Sequence, residues 1–278
     1  MPPAPRKPRV RSYDPAKVRA ALEGQVRAVR DVVDTVCAEP DARALLATRT
    51  RLGEWTVREL IVHLVGALEL LPHRLVEPGR LPARAEAGLL DYVAGLASSA
   101  ATVADHTAVG AAEFAEADPK SVADRFDQAA GKLLGALAEA DSAALVPTAF
   151  GAMTVADFMV TRLVETVVHG DDLADATGVA VRHDRQALAA VTRLLADALA
   201  AKAPGGSVEV RIPPFAVVQC VAGPKHTRGT PPNVVETDPL TWIRLATGRA
   251  DWSTALADAA VTASGERADI SGQLPLLT

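Results

Sequence analysis

The sequence predicts a mainly α-helical protein, an antiparallel helical bundle followed by a small α+β domain. Three observations lead there. Hydrophobic residues make up 49% of the 278-residue chain and aromatics only 4%, so alanine and leucine must supply most of the packing, which favours helices. Up to about residue 202 the apolar residues recur at intervals of three and four between recognisable caps. At Ala203-Pro-Gly-Gly-Ser207 that pattern breaks, and Val208-Glu-Val-Arg-Ile212 alternates apolar with polar.

The elements follow in order. Residues 1–13 carry Arg6, Lys7, Arg9 and Arg11 among prolines with no apolar segment behind them; they read as a flexible basic tail, not a signal peptide. From Asp14 to about Cys37, Val18, Leu22, Val26, Val29, Val33 and Val36 mark one face of a first helix, with Asp14 as cap and Pro15 in the first turn. Thr56-Val-Arg-Glu59 is a capping box, and the helix it starts should run to about Leu71 and stop before Pro72. Prolines and glycines over 78–88 mark a loop. An Ala-rich helical region covers roughly 89–117, ended by Asp118-Pro119, and another helix spans about 120–140. Thr154 caps a helix carrying Phe158, Val160, Leu163, Val164, Val167 and Val168, which ends near Gly178. A further helix fills about 184–202. Beyond the break, strands are expected at 208–212, at Phe215–Val221, at Val234-Val235 and at 260–263, with a helix from Pro239 to about Gly248. The expected division is tail 1–13, helical bundle 14–203 and α+β domain 204–278. No internal repeat is visible.

Bulk properties narrow the function. A net charge of −5 and a pI near 5.7 offer no basic excess for nucleic acid or an anionic membrane. The longest apolar stretch, Leu60 to Leu71, is interrupted by His63 and Glu69 and is too short to span a bilayer. Cys37 and Cys220 lie in apolar surroundings without a CxxC spacing, as buried reduced thiols of a cytoplasmic protein do. No GxSxG, P-loop or GxGxxG-helix motif occurs, which removes support from serine-hydrolase and nucleotide-binding readings.

Chemistry concentrates in three residues. Glu165 and His169 are four apart, which on a helix puts a carboxylate and an imidazole on one face, one turn apart. His63 lies in another strongly apolar helical stretch. Two nitrogens and one oxygen, projecting inward from facing helices, make a three-ligand set that leaves one position open, as catalytic zinc sites do; other divalent ions also suit these donors. Asp172, one turn beyond His169, is placed to accept the free imidazole N–H and fix the tautomer; Asp171 is less well placed. Each residue has a plainer reading. A histidine in an apolar helix is usually a core residue with a backbone partner, a Glu–His pair at this spacing arises often by chance, and two aspartates near a helix end are commonly solvated. His73 and His183 read as surface or capping residues, and His106 and His226 lack such partners.

At these residues the chain resembles a known family. Leu52-Gly-Glu-Trp55-Thr56-Val-Arg-Glu59-Leu60-Ile-Val-His63-Leu64 and Glu165-Thr-Val-Val-His169-Gly-Asp-Asp172-Leu173-Ala-Asp-Ala176-Thr-Gly178 are similar to the two signatures of the mycothiol-dependent maleylpyruvate isomerase family, whose N-terminal domain is a DinB-like four-helix bundle. The resemblance covers roughly residues 14–180. It implies a divalent metal, typically zinc, on His63, Glu165 and His169, with mycothiol, a small actinobacterial thiol, as cosubstrate. Leu240-Thr-Trp242-Ile-Arg-Leu245-Ala-Thr-Gly248, Trp252 and Val261-Thr-Ala-Ser264-Gly265 are similar to sterol-carrier-protein-like domains, one of which follows the bundle in the isomerase. There a basic residue of the second domain helps to hold the substrate carboxylates; no motif assigns that role to Arg211, Arg228 or Arg244.

The expectation is therefore a metal-dependent enzyme that activates a low-molecular-weight thiol for addition or transfer to a small electrophilic substrate, as an isomerase or S-transferase. No side chain is assigned a catalytic role beyond metal binding. The alternative is a sterol-carrier-like protein that binds a lipid or other apolar small molecule in its C-terminal domain without catalysis, supported by Phe215, Val217, Val218 and the Trp242–Leu245 stripe. A family member with an intact bundle and no metal is the third reading.

Overall fold

The first helix, α1 (Pro15–Ala38), begins where the Asp14 side chain accepts hydrogen bonds from the backbone N–H groups of Ala16 and Lys17, two donors that the helix itself leaves unpaired. A computed structural model of the chain describes residues 11–76, 79, 81–96, 114, 117–223 and 232–277. Arg6, Lys7 and Arg9 of the expected tail, most of the expected 89–117 helix, His106, His226 and Arg228 lie outside the described residues. Arg11, at the described end of that tail, pairs with Asp197 at 3.0 Å.

A short helix, α2 (Ala42–Leu46), leads through a turn into α3 (Val57–Val76). The capping box before α3 is closed in both directions: Thr56 N–H donates to Glu59 Oε2 at 2.6 Å, and Glu59 N–H donates to Thr56 Oγ1 at 3.4 Å. Contrary to the expected stop before Pro72, α3 continues through that proline to Val76. Leu68 and Leu71 are fully buried, and their packing holds the turn that Pro72 deprives of one backbone donor. A helical segment at 89–96, α4, follows, then α5 (Pro119–Glu139), capped by Asp118. The two-residue strands β1 (Leu145–Val146) and β2 (Met153–Thr154) pair antiparallel and deliver the chain to α6 (Val155–Thr177). There Thr154 Oγ1 accepts from Asp157 N–H, and Gly178 ends the helix in the left-handed conformation, where glycine carries no Cβ penalty.

In the 14–191 unit, α1 packs on α5 and α6, and α3 packs on the same two helices. Val26, Val29, Leu60, Leu64, Leu68, Phe126, Leu133, Leu163 and Val167 are buried along these contacts. α6 is buried on nearly every side, including Thr161, Arg162, Thr166, Asp171 and Asp172. Burying so many polar groups is costly unless each is hydrogen-bonded, so this helix is where function is to be sought. His183, expected at the surface, is half-buried with Nδ1 3.0 Å from Gln25 Nε2, because buried Gln25 of α1 needs partners there.

The chain divides into compact units inside α7 (Arg185–Lys202), after Val191. The second half of α7 is tied to the C-terminal residues: Arg193 Nε donates to Phe215 O, and Lys202 Nζ donates to the carbonyls of Gln273 and Pro275. In this unit β3 (Val208–Ile212), β4 (Ala216–Cys220), β5 (Val234–Thr237) and β6 (Val261–Ser264) form one sheet in the order β4-β3-β5-β6. β3 and β4 are antiparallel with Val208 opposite Cys220, β3 and β5 are parallel, and β5 and β6 are antiparallel. The alternation read at 208–212 is real: Val208, Val210 and Ile212 are buried and Glu209 and Arg211 are not. Helices α8 (Pro239–Ala246) and α9 (Trp252–Ala257) complete the unit. Trp242, Ile243 and Leu245 are core residues, while Val217 is 60% exposed. No described helix of either unit is long and apolar enough to cross a membrane.

Candidate metal centre

The 14–191 unit brings His63, Glu165 and His169 together. One ligand atom from each lies within 4.8 Å of the others, and among the described residues this is the one such His/Cys/Asp/Glu group. α3 supplies His63 two turns beyond its capping box; α6 supplies Glu165 and His169 from successive turns of one face. The direct packing of α3 on α6 turns residues a hundred positions apart in sequence into neighbours.

The spacing fits a small cation. His63 Nε2 is 3.1 Å and His169 Nε2 3.5 Å from Glu165 Oε2. Ligands bound tetrahedrally to zinc at ~2.0–2.1 Å stand roughly 3.4 Å apart, so both distances bracket the required edge. The two imidazole rings meet edge to face, with centroids 4.7 Å apart, so the nitrogens converge without the rings stacking. All three side chains are 11–14% exposed, sheltered yet reachable. The donor set, one carboxylate and two neutral imidazoles, is the kind that zinc and similar ions take.

Around this core the polar partners are specific. His169 Nδ1 lies 2.9 Å from Asp172 Oδ2, so a neutral His169 carries its proton on Nδ1 and turns its Nε2 lone pair to the centre. Asp172 Oδ1 accepts from Arg51 Nε at 2.7 Å, and Asp171 Oδ2 accepts from Arg51 Nη2 at 2.5 Å. Asp171 thus serves Arg51, while Asp172 serves both Arg51 and His169. The other oxygen of Glu165, Oε1, accepts from Tyr92 Oη at 3.1 Å and has Arg162 Nη2 3.7 Å away. Arg162 is itself anchored, donating to Ala67 O and lying over the Phe158 ring at 4.8 Å. The Trp55 ring sits 5.2 Å from the His63 ring.

Charge states follow from these contacts. Burial opposes the Glu165 charge, but the hydrogen bonds with His169 and His63 and the nearby Arg162 outweigh it and hold the carboxyl well below its usual range. Burial pushes the His63 imidazole below its ordinary value. Burial also works against a charged His169, yet its bonds to Asp172 and Glu165 hold that imidazole above it. Tyr92 is driven well above its normal value by burial and by the Glu165 charge, so it stays a phenol and a donor. Cys37 and Cys220 are free thiols, each pushed by burial up to about 11.

The sequence pointed at the three converging residues and at Asp172. It did not point at Arg51, Tyr92 or Arg162. Arg51 stands five residues before a recognised capping box, but nothing local tells which acids it meets. Arg162 precedes Glu165 by one turn in an apolar run, and a charge inside such a run is the signal that was available.

Fold and site together define a helical protein with an inward-facing His–Glu–His donor set and a separate α+β unit. The chain belongs to the mycothiol-dependent maleylpyruvate isomerase family, with a sterol-carrier-protein-like C-terminal domain. Residues 26–174 match the family model "Mycothiol maleylpyruvate isomerase N-terminal domain", and residues 184–276 match "Bacterial SCP ortholog". Among solved structures, the mycothiol-dependent maleylpyruvate isomerase and a histidine-to-alanine mutant of it are similar. Each is 15% identical, with a TM-score of 0.62 over 97% of this chain and 99% of that one, a likeness of fold. No curated protein matches the chain in sequence.

Proposed function

We propose that this protein is a metal-dependent enzyme that uses an external low-molecular-weight thiol of the mycothiol kind to isomerise a small unsaturated, electrophilic substrate. One observation carries the reading: the donor atoms of His63, Glu165 and His169 converge within 4.8 Å on helices whose family is that of a thiol-dependent isomerase. These three residues would hold a divalent cation, zinc by preference. Bound there, the cation supplies a Lewis acid that lowers the pKa of a thiol at its open position.

The chain's own residues do the rest. Asp172 keeps the His169 proton on Nδ1, and Tyr92 and Arg162 hold Glu165 Oε1 so that Oε2 faces the histidines. Burial holds the Cys37 and Cys220 thiols up at about 11, so neither offers a ready thiolate at neutral pH, and the family match supports a nucleophile supplied by an external thiol. In the isomerase reading the thiolate adds to an activated carbon–carbon double bond, the resulting single bond rotates, and expulsion of the same thiolate restores the double bond. The thiol is regenerated. An S-transferase would keep the new C–S bond. Nucleophilic catalysis of either kind needs the ionised form at neutral pH.

The C-terminal unit's match to a bacterial sterol carrier ortholog supports a second proposal, an apolar ligand bound by that unit; native mass spectrometry showing a co-purified lipid would favour it. The enzyme reading is tested by metal analysis of full-length protein purified without chelator. The wild type should carry about one equivalent and His169→Ala almost none. Sub-stoichiometric metal in both would reject the enzyme and leave the carrier.

A further inference from the structure

We propose that the turn 49–56, between α2 and α3, orients both histidines of the site, with Arg51 acting on His169 through Asp172 and Trp55 bearing directly on His63. This rests on the metal-site reading above and adds two positioning residues to it.

The turn is built to hold a fixed shape. Arg49 and Thr56 form an isolated antiparallel bridge. Thr50 donates to the Trp55 carbonyl from both its backbone N–H and its hydroxyl, each at 2.8 Å. Leu52 N–H returns to the Thr50 hydroxyl, and Val57 N–H donates to Thr48 O. Gly53 turns the chain with φ +67°, a conformation glycine adopts at little cost.

From this frame two side chains reach the histidines. The Arg51 guanidinium puts Nε on Asp172 and Nη2 on Asp171 at 2.7 and 2.5 Å, with Nη1 3.6 Å from Asp175. The fork therefore spans carboxylates on neighbouring turns of α6, a geometry that a lysine ammonium does not reproduce. Asp172, with a fully buried side chain, divides its oxygens between Arg51 and His169. A carboxylate so divided cannot rotate about its Cβ–Cγ bond without losing one partner, so Arg51 fixes the plane in which Asp172 meets the imidazole. Trp55 lies tilted at 47° to the His63 ring, and the edge-to-face contact with His169 limits that ring from another direction. One turn next to His63 in sequence thus acts on both histidines. Mutating a partner that orients a metal-binding imidazole typically weakens metal binding by roughly 10- to 100-fold.

The test uses full-length wild type, R51K, R51A, W55F and W55A. Zinc affinity is read by competition with a chromophoric chelator, the ligand field by the visible spectrum of the cobalt-substituted protein, and the fold by far-UV circular dichroism. R51A and R51K, both folded, should bind zinc about 10- to 100-fold more weakly with an altered cobalt spectrum. W55A should bind several-fold more weakly, and W55F should stay near wild type. Should R51A fail to fold, R51K decides. R51K with wild-type affinity and spectrum overturns the role of Arg51, and an unchanged W55A overturns that of Trp55, while the metal site itself stands. A wild type that binds no metal overturns the underlying reading, and this proposal with it.

Discussion

Replacing Asp172 by asparagine isolates one contact. The carboxylate accepts from His169 Nδ1 at 2.9 Å and from Arg51 Nε at 2.7 Å, and it is fully buried. An amide has one accepting oxygen and one donating NH₂, so one of those two donors must face another donor. If His169 keeps the oxygen, Arg51 loses Asp172 but retains Asp171. If Arg51 keeps it, the imidazole is free to turn or to change tautomer. The loss of one charge-assisted hydrogen bond costs roughly 1.5–3 kcal/mol. It stays below the ~3–5 kcal/mol of a fully stripped buried pair, because Asp171 remains. Expressed mainly in metal binding, this predicts a folded Asp172→Asn protein with zinc affinity about 10- to 100-fold weaker, or roughly 1.4–2.7 kcal/mol. Chelator competition on the folded variant measures it directly, and an affinity within twofold of wild type would refute the orienting role.

Two further outcomes are expected. Arg162→Met removes a buried cation near Glu165 while keeping volume over Phe158; the metal-free protein should lose about 3 kcal/mol of stability, and zinc should raise the variant's melting temperature by more than it raises that of wild type, since the added cation replaces the lost charge. Equal zinc-induced shifts in differential scanning fluorimetry would contradict this. Second, with thiol pKa values near 11, Cys37 and Cys220 should resist iodoacetamide in the folded protein at pH 7.5 and react fully in denaturant; rapid labelling of the native protein at that pH would show a thiolate that the structure does not support.

The legible parts of this molecule were those encoded locally. Asp14, Thr56 and Thr154 announce helix starts because a capping side chain bonds to a backbone N–H two or three residues away. Gly178 announces a helix end for an equally local reason. Short elements were not legible: α2, α9 and the β1–β2 pair are too brief for periodicity to accumulate. Pro72 misled because tertiary packing of Leu68 and Leu71 overrode a local penalty. At the site, the Glu165–His169 spacing could be read within one helix, and His63 stood out as an ionisable residue in a second apolar helical stretch, with the family signatures linking the two segments. Arg51 meets Asp171 and Asp172 across about 120 positions, and Tyr92 meets Glu165 across 73. Such pairings exist once helices have packed, and no local pattern records them.

The central claim, that the His63–Glu165–His169 site activates an external thiol through a bound cation, is tested most directly by calorimetric titration with mycothiol. The titration is run in buffers of differing ionisation enthalpy, on the zinc-loaded and the metal-free protein and on His169→Ala. The account predicts binding to the zinc-loaded wild type with release of about one proton at a pH where the free thiol is protonated, and no proton release from the other two. Binding of equal strength without proton release in all three would contradict it.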